Sequence, residues 1–340
     1  MTMNLATETA AGRNAGPAAA QPVLRVEDLV VTYYTDLGRA RALDNVSFTL
    51  EAGQKLGMVG ESGSGKSTLA LAMMRMIKPP GRIEAGRVWV GGTDLQSLND
   101  EGMRKARLSK IAYIPQGAMN SLNPVTRIGE QMVDAIKSHI PGESRQAIND
   151  RCVWALKSVD LDPGVFNMYA HELSGGMKQR VCIAIGILLR PEVIIADEPT
   201  SALDVVTQRQ VMETIDKVQD DIGAAVILIG HDMGLMAQTM DQVAVMYAGR
   251  LVEVATVREM FTDPKHPYSQ ALISSLPTLD NRGQFKGIPG LAPSLLRLPS
   301  GCAFHPRCPF ASDRSRAEKP KVNVLPGGRL VACHLYDQET

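Results

Sequence analysis

The chain has 340 residues, 44% of them hydrophobic and 21% charged, a globular composition that excludes a wholly disordered or fibrous chain. Lys plus Arg and Asp plus Glu number 36 each, so the formal net charge is zero; a protein whose main task is coating nucleic acid carries a basic excess instead. Aromatic residues make up only 4%, which also argues against a stacking platform for single strands.

Residues 1–22 are rich in Ala, Thr, Gly and Asn and read as a disordered tail. They lack the basic start and apolar block of a secretory signal. No run reaches the ~18 consecutive apolar residues of a membrane span. A cytoplasmic location is expected. Residues 23–31 alternate and carry β-branched side chains, which predicts a strand. Residues 42–50 predict another, with Val46, Phe48 and Leu50 on one face. A short apolar strand over 55–59 runs into Gly60. Helical periodicity follows over 67–77 and is stopped by Pro79, Pro80 and Gly81. Strands are predicted at 87–91 and 111–114. From 128 to about 170 the pattern is helical, broken near Pro141-Gly142 and Pro163-Gly164. A helix over 175–189, a buried strand over 193–196, a helix over 206–222 and a strand over 225–229 come next. Residues 242–246 and 250–254 read as a hairpin around Ala248-Gly249. Strands alternating with helices indicate an α/β core with a mainly parallel sheet and an inserted α-helical subdomain at about 118–178. After about Pro264 the composition shifts to Pro, Gly and Cys. The expected division is a tail at 1–22, a core domain at 23–263 and a separate extension at 264–340.

Gly60-Glu61-Ser62-Gly63-Ser64-Gly65-Lys66-Ser67 fits G-x-x-x-x-G-K-[ST] between a predicted strand and a predicted helix. Glycines let the backbone curl so that its N–H groups face phosphate oxygens, and the following helix N-terminus adds positive potential. Lys66 is suited to the β- and γ-phosphates and Ser67 to Mg²⁺. The strand over 193–196 ends in Asp197-Glu198, and open α/β sheets bind ligands at such strand ends. Asp197 is placed for the Mg²⁺ shell; Glu198 is placed to accept a proton from, or orient, an attacking water.

Leu173-Ser174-Gly175-Gly176-Met177-Lys178-Gln179-Arg180, with these two motifs, resembles the ABC ATPases, the motor subunits of ATP-driven transporters. The resemblance covers about residues 23–254. It implies an adenine stacked on Tyr33, with Tyr34 adjacent to it. It implies phosphates held by Gly60, Ser62, Gly63, Gly65, Lys66, Ser67 and Thr68, and Mg²⁺ ligated by Ser67, Gln116 and, through water, Asp197. Ser174, Gly175 and Gly176 would contact the γ-phosphate bound to the opposite subunit. Ser201-Ala202-Leu203-Asp204 matches the D-loop and His231 the switch histidine, preceded by Gly230 where the family more often has Thr or Ser. Ser174 and two glycines at a helix start independently make an anion site.

A second resemblance is carried by His266-Pro267-Tyr268, Ala271-Leu272, Ile288-Pro289-Gly290, Pro293-Ser294-Leu295 and Gly301-Cys302-Ala303-Phe304-His305-Pro306-Arg307-Cys308, with Ser121-Leu122-Asn123-Pro124 after Gln116. It is similar to the oligopeptide/dipeptide permease ATPases. This implies import of peptides or related solutes such as nickel complexes or oligosaccharides. It also implies a second ATPase subunit, identical or paralogous, two integral membrane permease subunits engaged by about residues 117–124, and a substrate-binding protein; no nucleic acid partner is implied. The chain would lie peripherally on the cytoplasmic face of the membrane. In that group four cysteines often follow, and some members resemble iron–sulfur proteins there. This chain offers Cys302, Cys308 and Cys333, with Ser315 where another cysteine would fall; His305 and His334 are nearby alternatives for the missing ligand. A [4Fe–4S] cluster, a zinc ion and free thiols stay open. Cys152 and Cys182, in apolar helical contexts, are expected in the core. The competing function is a soluble ABC ATPase for repair or translation, which typically joins two cores or carries a long coiled coil. A phosphate-binding regulator without hydrolysis is opposed by Glu198 and His231.

Overall fold

The computed structural model describes residues 22–201, 203–276 and 287–337. The predicted tail up to residue 21, and Ala202 of the D-loop, lie outside them. The chain opens with strands β1 (Leu24–Thr35), β2 (Gly38–Leu50) and β3 (Lys55–Val59), then helix α1 (Lys66–Met73), strands β4 (Gly81–Val90) and β5 (Thr93–Asp94), helix α2 (Asp100–Ser109) and strand β6 (Ile111–Ile114). The helical stretch is α3 (Ile128–His139), α4 (Arg145–Ser158) and α5 (Gly175–Ile187). The core continues with β7 (Val193–Asp197), α6 (Val205–Ile222), β8 (Ala225–Ile229), α7 (Met233–Thr239), β9 (Gln242–Tyr247) and β10 (Arg250–Thr256). The remaining elements are α8 (Val257–Thr262), α9 (Pro267–Ser274), α10 (Asp313–Ala317), β11 (Asn323–Val324) and β12 (Leu330–Val331).

Two sheets result. β2-β1-β4-β5 is antiparallel; β11-β12-β10-β9-β3-β8-β7-β6 is parallel from β9 to β6 and antiparallel from β9 outward. The antiparallel sheet is an addition to the sequence reading. Its β2 shows the expected alternation, with Val46, Phe48 and Leu50 buried and Ser47 and Thr49 exposed. The central strands β7 and β8 are buried along their whole length, so they read as unbroken apolar runs. Successive side chains point to opposite faces. Val193 and Ile195 of β7, with Ala225, Ile227 and Ile229 of β8, join the core shared with β1, β2, β4 and α1. Ile194, Ala196, Val226 and Leu228 join the core shared with α3, α4, α5 and α6. Ile128, Met132 and Ile136, one helical turn apart, bury one face of α3. Cys152 and Cys182 are buried in this second core, as expected.

The extension is not detached. β12 pairs with β10, so the region read as separate completes the edge of the larger sheet. Glu253 of β10, fully buried, accepts hydrogen bonds from the Lys265 and His266 N–H groups and from the Arg329 guanidinium. These bonds satisfy a carboxylate that would otherwise be costly to bury, and they fasten the start of α9 and the approach to β12 to the core. Among the described residues no helix is long and apolar enough to cross a membrane.

Candidate active site

Four neighbouring parallel strands end at one edge. β3 leads to Gly60, β6 to Gln116, β7 to Asp197 and Glu198, and β8 to Gly230 and His231. After β3 the chain turns at Gly60 (φ 150°), Gly63 (φ 77°) and Gly65 (φ 105°), values that favour glycine. The fit is tight as well. A Cβ at Gly60 would stand 2.2 Å from Met246 O, and one at Gly65 would stand 2.6 Å from Ala42 O. Lys66 and Ser67 then open α1, with Thr68 behind them. Lys66, 8% exposed, donates its Nζ protons to Gly60 O at 2.8 Å and Glu61 O at 3.1 Å. Burial lowers its pKa, opposed by the charges of Glu198 and Asp197.

Asp197 is 1% exposed. Burial raises its pKa, opposed by the Ser67 and Tyr113 hydroxyls. Tyr113 Oη donates to Oδ2 at 3.1 Å, while Oδ1 has no hydrogen-bond partner among the described residues. A buried carboxylate oxygen left unpaired, beside the Ser67 hydroxyl, suits a cation's hydration shell; these residues fit Mg²⁺. Glu198 adopts φ 46°, unusual for a residue with a Cβ. Its N–H is held by Ile229 O at 2.9 Å, and Oε2 accepts from Gln116 Nε2 at 2.6 Å. Oε1 lies 3.7 Å from His231 Nδ1. Gln116, Glu198 and His231 thus come together, joined by residues from three strand ends.

Ser174 caps α5, its Oγ accepting from Met177 N at 3.3 Å. Gly175 faces Leu203, and a Cβ on Gly176 would lie 2.5 Å from Thr207 Cγ2, so α5 starts close against α6. Asp204 caps α6, accepting from Val206 N at 3.1 Å and Thr207 N at 3.0 Å. Among the described residues no hydrogen bond joins Ser174, Gly175 or Gly176 to the chain's own phosphate loop. Tyr33 is half-buried, its ring over Gly81. Tyr34 is more exposed; it donates to Glu84, and its ring is flanked by Arg39 and Arg82.

Cys302, Cys308, Cys333 and Ser315 line one cavity of about 180 Å³, with His305 and His334. Burial raises the pKa of all three thiols, that of Cys333 to about 11. Ser315 Oγ donates to Ser312 O at 2.8 Å and accepts from Ser312 N at 2.9 Å, and both His334 ring nitrogens are engaged, by Asp337 and by Glu318 O. Among the described residues no group of three or more His, Cys, Asp or Glu is arranged to hold a metal ion. The donor set does not fit a four-ligand cluster.

Sequence reasoning did not give a role to Tyr113, Glu61, Tyr268 or Arg307. The last three lie within quoted motifs, but their contacts are with residues far away in the chain. Glu61 N donates to Tyr268 Oη, and Arg307 pairs with the Glu61 carboxylate.

The ABC transporter family profile matches residues 43–201, and the profile for the oligopeptide/dipeptide transporter C-terminal region matches residues 252–314. The dipeptide transport ATP-binding protein DppD of Caldanaerobacter subterraneus subsp. tengcongensis is 42% identical over 318 residues, spanning 93% of this chain and 98% of that protein. The oligopeptide transport ATP-binding protein OppD of Salmonella typhimurium is 42% identical over 320 residues, spanning 93% and 95%. The ATP-binding cassette MJ0796, solved as a dimer in a post-hydrolysis state with ADP and Pi, superposes with a TM-score of 0.61 at 26% identity, over 69% of this chain and 99% of that one. The cbiO1 structure from Clostridium perfringens gives a TM-score of 0.62 at 26% identity, over 71% and 91%. With the phosphate loop, the paired carboxylates and the capped Ser-Gly-Gly helix on one α/β scaffold, the chain belongs to the ABC transporter family, as an ATP-hydrolysing ATP-binding subunit of the oligopeptide/dipeptide branch.

Proposed function

We propose that the chain is the ATPase motor of a peptide importer, its core at about 23–263 and its extension at 264–340. The observation that carries this reading is the similarity, over 93% of the chain, to relatives named for dipeptide and oligopeptide transport. ATP stacks its adenine on Tyr33. The N–H groups of the loop at Gly60, Ser62, Gly63, Gly65, Ser67 and Thr68 surround its phosphates. Lys66 exchanges the loop carbonyls it now satisfies for the β- and γ-phosphates, regaining a full charge partner in a desolvated site. Ser67, Gln116 and Asp197 would hold Mg²⁺, which when bound neutralises phosphate charge. Glu198, oriented by Gln116 and by its clamped N–H, takes a proton from water in line with the γ-phosphate, while His231 contacts the transferring phosphoryl group.

Ser174, Gly175 and Gly176 serve the ATP of a second ATPase subunit, identical or paralogous. That no hydrogen bond among the described residues joins them to the chain's own loop, and the dimeric state of MJ0796, support that assignment. Closure of the two subunits is driven by contacts that exist only with γ-phosphate present. Residues 117–124, directly after Gln116, pass that motion to two integral membrane subunits, with a binding protein delivering peptide from the other side. The chain sits peripherally on the cytoplasmic face of the membrane. No step is assigned to a metal at the cysteines.

Co-purification from solubilised membranes tests this, with ATPase activity, iron and zinc measured on the same sample. Two membrane subunits, a second ATPase and activity raised by a peptide-loaded binding protein are expected. Purification alone, with hydrolysis indifferent to membrane partners and peptide, would overturn the importer reading in favour of a soluble ATPase. Iron, zinc or neither per chain separates a cluster, a zinc site and free thiols.

A further inference from the structure

Glu61, the second residue of the phosphate loop, is held from the C-terminal extension by two side chains. Its N–H donates to Tyr268 Oη at 2.9 Å. Its carboxylate receives both Arg307 Nη atoms, Oε2 at 2.7 Å and Oε1 at 2.9 Å. Arg307 is 5% exposed in its side chain, and two further donors are used: Nε goes to Pro289 O at 2.7 Å and Nη1 also to Tyr247 Oη at 3.3 Å. The aromatic rings of Tyr247, Tyr268 and Phe304 pack mutually at 4.6 to 5.4 Å. His266 caps α9 by accepting from Tyr268 N at 3.0 Å, which sets the Tyr268 ring toward the loop. The two motifs that distinguish the extension, His266-Pro267-Tyr268 and the segment from Gly301 to Cys308, therefore converge on one peptide of the ATP site.

The charge balance makes this contact consequential. Glu61 brings a negative charge to a loop that receives a polyanion. A forked guanidinium cancels it in a geometry that a point charge would not match. The Glu61 N–H, tied to Tyr268, fixes the outer edge of the loop. We propose that Arg307 and Tyr268 are positioning residues for ATP binding: they neutralise Glu61 and hold the curve of the phosphate loop, so that nucleotide affinity depends on how the extension is seated. This rests on residues 60–68 being the phosphate loop for ATP.

The test compares full-length wild type with Arg307→Gln, Glu61→Gln, the double variant and Tyr268→Phe. The readouts are displacement of trinitrophenyl-ATP by ATP and the unfolding midpoint. Arg307→Gln is expected to weaken ATP binding ~10-fold by stranding the Glu61 carboxylate beside the phosphates. Adding Glu61→Gln is expected to restore affinity to within ~3-fold of wild type, because the stranded charge is gone. Tyr268→Phe, which keeps the ring, is expected to weaken ATP ~3-fold with the midpoint within ~2 °C of wild type. The proposal is overturned if Arg307→Gln and Tyr268→Phe bind ATP as wild type does. It is also overturned if the double variant is as weak as Arg307→Gln, the pattern of a packing role alone. Should Arg307→Gln fail to fold, Tyr268→Phe decides. A wild type that does not bind ATP would overturn the phosphate-loop reading as well, an outcome distinct from equal binding by wild type and variants.

Discussion

Among the described residues one buried oxygen of Asp197 has no hydrogen-bond partner, and Glu198 next to it occupies a left-handed backbone conformation. Both features oppose folding and both lie at the proposed reaction centre, a common arrangement at active sites. The raised pKa of Asp197 gives the sign of its effect. Its folded form holds a proton more tightly than its unfolded form, so the ionised carboxylate costs stability as pH rises through the raised value. Asp197→Asn is therefore expected to stabilise the nucleotide-free chain at neutral pH by ~1 kcal/mol, a gain that shrinks under acid. ATP turnover in the same variant should fall at least ~100-fold. Thermal unfolding without nucleotide checks the first part. A lower midpoint than wild type at pH 7 would contradict this account of the residue.

At the level of elements, Glu253 and Arg329 show how the extension is fixed. Arg329→Ala leaves the fully buried Glu253 carboxylate without its charge partner and should cost ~3–5 kcal/mol of stability, read by denaturant unfolding. A loss under ~1 kcal/mol would mean that the backbone N–H groups of Lys265 and His266 suffice. His266, buried and neutral, titrates near 3 rather than at its ordinary value of 6.5. Between those values the unfolded chain takes up a proton that the folded chain refuses, so stability falls as pH drops from 6.5 toward 3. His266→Asn, whose side-chain oxygen can still accept from Tyr268 N, should flatten the slope of unfolding midpoint against pH in that window. An unchanged slope would place the acid sensitivity in other groups.

The elements also show what the sequence could and could not disclose. The phosphate loop, Asp197-Glu198 and the Ser174 cap were legible because each is a local pattern of turn, strand end or cap. The helix predicted to Ile77 ends at Met73 for a reason that composition hides. Arg75 takes φ 49° where glycine is usual, and the bonds Met76 N to Leu71 O and Arg75 N to Ala72 O close the helix behind it. Tyr113 beneath Asp197, and Arg307 against Glu61 across 246 residues, are tertiary meetings that no local period encodes. The antiparallel sheet was partly visible: three of its four strands, β1, β2 and the end of β4, were predicted, but not their pairing.

At the scale of the whole molecule, the proposed mechanism assigns one chain two complementary parts of an ATP site, held at separate places. The phosphate loop and carboxylates lie at the strand ends, and the Ser-Gly-Gly helix start lies on the helical side against α6. On that proposal, a second subunit brings the two together over one γ-phosphate. Slowing hydrolysis while keeping ATP bound should trap that closed pair, because the contacts that drive closure persist until phosphate leaves. The most direct test is phosphate release by Glu198→Gln beside wild type, in the assembled complex with ATP and Mg²⁺, with bound nucleotide quantified on the same sample. The account predicts retained ATP and turnover lowered at least ~100-fold; turnover near that of wild type would contradict it.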